Sequence, residues 1–225
     1  MQEKISVIIP TFNEANQIEQ HLNRLQSLRQ LGHEVIMVDG GSLDDTVSLA
    51  APLCDQIYQS QKSRSIQMNS GAKLASGQCF IFLHADTILP DNFLEHLSKI
   101  NNIKDKWGRF DISLSGGNWL FRVIEKCMNS RSRLSGIVTG DQVMFVGEAL
   151  FRKVNGYPEI ALMEDIAISS VLKKISRPVC ISEKVISSSR RWEQNGIIKT
   201  IIKMWVLRLL YFFQYDTNRL SKLYE

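Results

Sequence analysis

The stretch Lys4-Ile5-Ser6-Val7-Ile8-Ile9-Pro10 decides how the rest of the chain is read. It is a short, nearly unbroken apolar run closed by proline. Such a run suits a strand buried on both faces, and strands of that kind belong to parallel sheets covered by helices. Working outward, Ala15, Ile18, Leu22, Leu25 and Leu28 recur at helical spacing. Glu34 to Val38 reads as a second strand, ending in Asp39-Gly40-Gly41-Ser42. Ser42 and Asp45 have the spacing of a capping box for the helix that follows. Gln56 to Tyr58 reads as a third, short strand, and Arg64 to Ser76 as a helix stopped by Gly77. Cys79 to Leu83 is a fourth strand that runs straight into His84-Ala85-Asp86. Strand and helix alternate four times, which predicts a mostly parallel central sheet flanked by helices.

The second half is less regular. Pro90 to Ile103 looks helical, and Arg109 to Ser115 alternates like a strand. Trp119 to Arg133 reads as a helix with Trp119, Val123, Ile124, Cys127 and Met128 on one face, assigned to the core. Gln142 to Val146 reads as a strand. Ile168, Val171, Leu172 and Ile175 mark a helix that begins near Asp165, and this stripe is also assigned to the core. From Gly196 onward the pattern is a long apolar, basic helix. No boundary interrupts the chain, so a single domain, 1–225, is expected, with a change of character near Ser115.

The length of 225 residues allows one sizeable core, and 44% apolar with 22% charged residues is ordinary for a globular protein. The formal charge of +4 suits an anionic ligand such as a phosphate and is too weak to argue for nucleic acid. Cys54, Cys79, Cys127 and Cys180 are widely separated, with no metal-ligand spacing, and read as reduced cytosolic thiols. Met1 to Pro10 lacks the apolar stretch of a signal peptide. Ile197 to Phe213 is interrupted by Lys199, Lys203 and Arg208, too often for a bilayer span. That segment packs in the core, in a homodimer, or on the inner face of the membrane as an interfacial helix.

In parallel α/β sheets ligands bind beyond the carboxyl ends of the strands. Three polar clusters fall at such ends: Thr11 to Glu14, Asp39 to Asp45, and His84 to Thr87. Asp86, just after a buried strand, has the chemistry to hold a divalent cation that also touches a diphosphate, or simply to end the strand in a turn. Asp39 is placed to accept from a base N–H or a ribose hydroxyl, with glycines that let a ligand approach the backbone. Asp45 fits a helix cap. Arg64 and Asn69 open a helix after a polar loop, as at an anion site or on a solvated basic surface. Glu164-Asp165 precedes an apolar helix, where the helix dipole favours acids and where a general base would also serve. Arg190-Arg191-Trp192 gathers two cations and an aromatic plane, as a diphosphate clamp or an exposed turn would. His21, His33 and His96 have no partner at useful spacing and are given no role.

In this order the clusters resemble glycosyltransferase family 2, the inverting family with the GT-A (nucleotide-diphospho-sugar transferase) fold. The likeness runs from about Lys4 to Glu193. Ile8-Ile9-Pro10-Thr11-Phe12-Asn13-Glu14 resembles the family's opening strand and nucleotide loop, and Val38-Asp39-Gly40-Gly41-Ser42-Leu43-Asp44-Asp45-Thr46 its second one. Arg64, Asn69 and Gly71 fall where the family has its diphosphate-side helix. Phe82-Leu83-His84-Ala85-Asp86-Thr87 resembles the acidic metal motif, with His84 where the family usually has an acid. Thr139-Gly140-Asp141-Gln142 and Met163-Glu164-Asp165 are similar to the acceptor-side segments. The chain is also similar to a subgroup of short bacterial members labelled arsenosugar-biosynthesis glycosyltransferases, through Gln67-Met68-Asn69, Gly108-Arg109-Phe110-Asp111, Arg131-Ser132-Arg133-Leu134 and Arg190-Arg191-Trp192-Glu193. That label implies a small-molecule acceptor.

The resemblance implies roles for individual residues. Nucleotide-sugar contacts fall to Pro10, Thr11, Asn13, Glu14, Asp39, Gly41, Ser42, Arg64, Asn69, Ala85 and Asp86. Mg2+ or Mn2+ would bind Asp86, with His84 as a second ligand. Asp165 would be the general base, with Glu164 and Arg191 beside it, and Asp141, Gln142 and Trp192 would meet the acceptor. Residues 1–115 would form the nucleotide-sugar half, 116–193 the acceptor side and 194–225 a C-terminal helical segment. The expected donor is a UDP-sugar and the expected acceptor a small molecule, or a polyprenyl phosphate at a membrane surface. A non-catalytic nucleotide-binding protein is the reading from another class.

Overall fold

A computed structural model describes residues 3–224; Met1, Gln2 and Glu225 of the expected domain 1–225 lie outside the described residues. The chain runs β1 (Ile5–Thr11), α1 (Ile18–Asn23), α2 (Gln26–Gln30), β2 (Glu34–Asp39), α3 (Thr46–Ala50), β3 (Gln56–Gln59), α4 (Arg64–Leu74), β4 (Cys79–Phe82), β5 (Thr87–Ile88) and α5 (Phe93–Ser98). It continues through β6 (Trp107–Leu114), α6 (Trp119–Ser135), β7 (Met144–Gly147), α7 (Glu148–Lys153), α8 (Glu164–Leu172), β8 (Val179–Ser187), α9 (Arg190–Asn195), α10 (Ile197–Phe212) and α11 (Thr217–Tyr224). One sheet has the order β3-β2-β1-β4-β7-β6-β8-β5. Its first four strands are parallel, β6 and β8 are parallel, and β7 and β5 run antiparallel to their neighbours.

Burial of β1 on both faces follows from its composition. Val7 and Ile9 point into a core shared with Ile18 and Leu22 of α1 and with Val35 and Met37 of β2. Ile8, between them, points to the opposite core, with Val38, Met68 and Ala72 of α4, and Ile168 and Leu172 of α8. A two-sided core explains the unbroken apolar run, because alternation along a strand appears only where one face meets water.

Several expected elements have different limits. The helix from Arg64 ends at Leu74, before Gly77. Gly77 instead lets two backbone segments meet: its N–H donates to Ser6 Oγ at 2.9 Å, and a Cβ there would lie 2.5 Å from that oxygen. The helix expected over Pro90 to Ile103 shrinks to α5 and a separate single turn at Ile103–Asp105. The strand expected from Gln142 begins at Met144, and Gln142 closes a tight turn with Thr139. The Ser42–Asp45 capping box does not form. Ser42 Oγ donates to Asp39 instead, and Asp44 accepts from Thr46 N.

The stripe on α6 is the clearest correction. Trp119 is 71% exposed, Val123 49%, and Cys127 is exposed as well. Only Ile124 and Met128 pack, against a small core of Ile112, Leu114 and Phe121. The inward face is partly polar: Glu125 accepts from Leu114 N at 2.7 Å and Asn129 from Ile112 N at 2.9 Å. These side chains replace ladder partners along β6, so polar groups occupy positions that periodicity assigns to apolar ones. On α8, which ends at Leu172, Ile168 and Leu172 reach the core, whereas Val171, and Ile175 in the turn beyond it, face solvent.

No helix among the described residues is long and apolar enough to cross a membrane. On α10, Ile198, Ile202, Trp205, Leu209 and Phe212 form an exposed stripe rather than a core contact.

Gly71 lets α4 sit tightly on the sheet, since a Cβ there would lie 2.4 Å from Ile8 Cγ2 and 3.1 Å from Val38 Cγ2. Gly71→Ala is expected to lower unfolding free energy by about 1–3 kcal/mol, the usual cost of overpacking a core. Urea denaturation measures it; an unchanged midpoint would contradict this packing.

Candidate active site

Three strand ends and one helix start build the site. Parallel pairing sets Thr11 beside Asp39, and Ile8 beside Phe82. The polar segments that follow β1, β2 and β4 therefore leave the sheet along the same edge. The buried Gln67 amide on α4 donates to Thr11 O and to Val38 O, each at 2.8 Å, and ties the helix to both strand ends.

A cavity of about 520 Å3 opens at that edge. Of the residues singled out in the sequence, Pro10, Thr11, Glu14, Arg64, His84, Ala85 and Asp86 line it from the nucleotide-like half. Asp141, Glu164, Arg191 and Trp192 line it from the other half. Lys62, Gln67 and Tyr224 join them.

Other expected contacts serve the frame. Asp39 is buried, and its oxygens accept from Gly41 N, Ser42 N and Ser42 Oγ at 2.9, 2.8 and 2.5 Å. Gly41, at φ +86°, gives the loop the left-handed turn that this wrapping needs. Asn13 exchanges hydrogen bonds with the same loop, donating from its N–H to Ser42 Oγ and accepting from Leu43 N. Asn69 pairs with the backbone of Tyr157 in both directions, at 2.9 Å. Gln142 is buried and donates to Ser132 Oγ. None of these six residues, Asp39, Gly41, Ser42, Asn13, Asn69 and Gln142, lines the cavity.

The acidic pair splits in two directions. Met163, in a left-handed conformation at φ 71°, turns the chain so that α8 opens with Glu164 and Asp165. Glu164 lines the cavity. Asp165 does not: its Oδ2 accepts from Gly140 N at 2.9 Å and its Oδ1 from Ile166 N at 2.7 Å. Burial, helped by Asp165 and opposed by Arg64, pushes the Glu164 carboxyl up to about 7. Val143, a β-branched residue at φ 50°, marks strain in the turn beside them.

His84 Nδ1 lies 3.8 Å from Asp141 Oδ1, beyond hydrogen-bond reach. Burial and the nearby Arg64 lower the His84 pKa to about 4, so the ring is neutral near pH 7 and no true ion pair forms. The ring rests on Gly140, where a Cβ would lie 2.6 Å from Nε2. Asp86 takes one long contact among the described residues, from Thr87 Oγ1 at 3.4 Å. No cluster of three or more His, Cys, Asp or Glu fit for a metal occurs among the described residues. A carboxylate with free lone pairs beside a neutral imidazole still fits a cation whose remaining ligands come from a diphosphate, and nitrogen suits Mn2+ better than Mg2+.

Tyr224 has no sequence signal, because it lies far along the chain from every motif. Its ring stacks 3.8 Å from Arg191 Cζ, and its carbonyl accepts from Arg191 Nη2 and Lys203 Nζ at 3.0 and 2.8 Å. The last helix thus holds a cavity arginine in place. Gln67 falls in a quoted motif, and its partners emerge only from the fold.

Comparison with known proteins agrees with the fold. Residues 6–106 match the model of the glycosyl transferase family 2. YibD, an uncharacterized glycosyltransferase of Escherichia coli strain K12, is 25% identical over 154 residues, which cover 64% of this chain and 44% of YibD. S. aureus TarS 1-349 in complex with UDP superposes with a TM-score of 0.67 at 20% identity, covering 82% of this chain and 60% of that one. The mannosyltransferase PcManGT from Pyrobaculum calidifontis, in complex with GDP-Man and Mn2+, gives 0.63 at 16% identity, covering 83% and 57%. The match to glycosyl transferase family 2 is thus confined to residues 6–106, and the chain has the GT-A fold. It spans less than half the length of the curated relatives it matches.

The raised Glu164 pKa carries a stability consequence. Folding prefers its protonated form, so the penalty is absent below the ordinary value of 4.5 and grows as pH rises to about 7. Glu164→Gln, uncharged throughout, is expected to be more stable than the parent by on the order of 2 kcal/mol at pH 8 and equal to it at pH 4. Urea unfolding at the two pH values measures this; the same difference at both would contradict the assignment.

Proposed function

We propose that the chain is a glycosyltransferase that moves a sugar from a nucleoside diphosphate to an acceptor hydroxyl with inversion. The observation that carries this reading is the convergence of Arg64 and Arg191, Asp86 and the Glu164–Asp165 turn on one cavity. The bound UDP of TarS and the GDP-Man of PcManGT support the donor class. A UDP-sugar is the first choice.

The base end of the donor lies toward the Thr11–Glu14 and Asp39–Ser42 loops. The diphosphate lies between Arg64 and Arg191, whose fixed charges stabilise the leaving group as its charge grows. A divalent metal, Mg2+ or Mn2+, held by Asp86 with His84 as second ligand, would neutralise further diphosphate charge. The Mn2+ of PcManGT supports that choice. Asp141 and Trp192 line the acceptor side, and Gln142 supports their turn. The acceptor oxygen bonds to the anomeric carbon as the bond from that carbon to the phosphate oxygen breaks. The hydroxyl proton passes to the acidic pair. The family resemblance assigns the base to Asp165; Glu164 is the member that lines the cavity, so the base is drawn from the pair. One displacement inverts the centre. Transfer to a lipid-linked acceptor is the second reading, favoured by the exposed apolar stripe of α10.

Release of UDP from a panel of UDP-sugars in the presence of Mn2+ tests the assignment. At least one of Glu164→Gln and Asp165→Asn is expected to lower release by about 100-fold or more while UDP binding persists. Parental release in both variants would remove the base from this turn, and UDP binding with no release by the parent would leave a binding protein. Asp86→Ala is expected to abolish the strengthening of UDP binding by Mn2+, measured calorimetrically. Metal dependence that survives in this variant would take Asp86 out of the site.

A further inference from the structure

A second cavity, of about 740 Å3, lies between α6, α8 and the turn from α10 to α11. The first turn of α8 separates it from the donor cavity, since Glu164 lines one and Ile166 the other. Arg131 of α6, Lys173 just after α8 and Arg208 of α10 meet in its wall, and no carboxylate lines it. None of the three has an ion-pair partner among the described residues. Lys173 Nζ reaches a backbone carbonyl, that of Ser135, at 3.4 Å. Arg131 Nε and Nη2 and Arg208 Nε are buried with no hydrogen-bond partner among the described residues. Burial pushes the Arg131 guanidinium down from its usual value, against the pull of Asp165 and Asp141. Guanidinium groups half-withdrawn from water, without acceptors, are costly, and an anion offsets that cost.

The rest of the wall is largely apolar, with Ile137, Ile166, Tyr211 and Phe212. Arg208 and Phe212 also line an adjoining groove of about 680 Å3, whose other residues include Ile202, Trp205 and Leu209 of the exposed stripe. A cationic hollow therefore opens directly onto an apolar track. A free inorganic ion would use the first and leave the second bare.

We propose that this second cavity binds an amphiphilic organic phosphate, its anionic head among Arg131, Lys173 and Arg208 and its apolar tail along the α10 stripe. The binding stands by itself. The ligand's role as the anchor of an acceptor rests on the transferase reading and places its head across the Glu164–Asp165 turn from the donor.

Calorimetry on the full chain without nucleotide tests this, with dodecyl phosphate below its micelle-forming concentration as the probe. Dodecyl phosphate is expected to bind, inorganic phosphate to compete weakly, and the neutral dodecyl maltoside not to compete. The double variant Lys173→Gln/Arg208→Gln is expected to weaken binding about ten-fold or more, as loss of charge-assisted hydrogen bonds requires, with an unchanged melting temperature and unchanged UDP affinity. If that variant does not fold, Ser170→Glu, which adds a carboxylate to the same wall, is expected to produce the same loss. Competition by phosphatidylglycerol vesicles identifies a lipid headgroup as the source of the phosphate, and its absence identifies a dispersed amphiphile; either agrees with the proposal. Equal binding of the neutral amphiphile, or parental affinity in a folded variant, would overturn it. Parent protein that binds dodecyl phosphate but not UDP keeps this site and loses the donor reading; the opposite pair of results does the reverse.

Discussion

Parallel pairing of β1 with β2 on one side and β4 on the other is the constraint on which the site depends. In-register parallel strands finish at the same edge, so segments more than seventy residues apart, from Thr11 to Asp86, are delivered to one crevice. The antiparallel neighbour β7 supplies the opposite wall for the same geometrical reason. Its first residue, Met144, pairs with Phe82 at the end of β4. The turn before β7 must then lie beside the segment after β4, and His84 does rest against Gly140. Asp165 completes the link by accepting from Gly140 N, which fixes the start of α8 relative to that turn. The Asp165 carboxylate is thus part of the frame, and Glu164 is the neighbour turned to the cavity.

Charges of both signs meet in the crevice, as the proposed diphosphate and its counterion require. Glu14, Asp86, Asp141 and Glu164 share the walls with Lys62, Arg64 and Arg191. Glu14 is shifted up, first by burial and also by Asp86 and Asp44, as in a place where carboxylates crowd. Such crowding is a poor stability device and a common property of sites that hold a cation and a phosphate together. The second cavity differs in kind, having cations without acids and apolar ground beside them.

The sequence makes β1, β2 and β4 legible because their apolar runs are buried on both faces, and periodicity reports burial directly. It fails at α6, where Glu125 and Asn129 point inward to bond the β6 backbone while Trp119 and Val123 point out. Where polar side chains face inward to satisfy backbone groups, an apolar period no longer marks the buried face. β8, with Glu183 and Lys184 inside it, is hard to read for a related reason: a bulge opposite Phe110 and Asp111 shifts its register and interrupts the alternation. Arg64, Asp86, Glu164 and Arg191, which line the cavity, are legible as candidates from local chemistry and order. Asp39 was readable as a strand-end acid, but that its oxygens close their own loop follows from the fold. Tyr224 was unreadable, since its place beside Arg191 depends on where α10 and α11 return.

The proposed function requires a nucleoside diphosphate and its metal to lie across the edge formed by β1, β2 and β4. A crystal grown with UDP and Mn2+, with anomalous scattering collected at the manganese edge, tests it most directly. An anomalous peak is expected beside the Asp86 carboxylate, with the diphosphate between Arg64 and Arg191. Nucleotide bound elsewhere, or manganese away from Asp86, would contradict it.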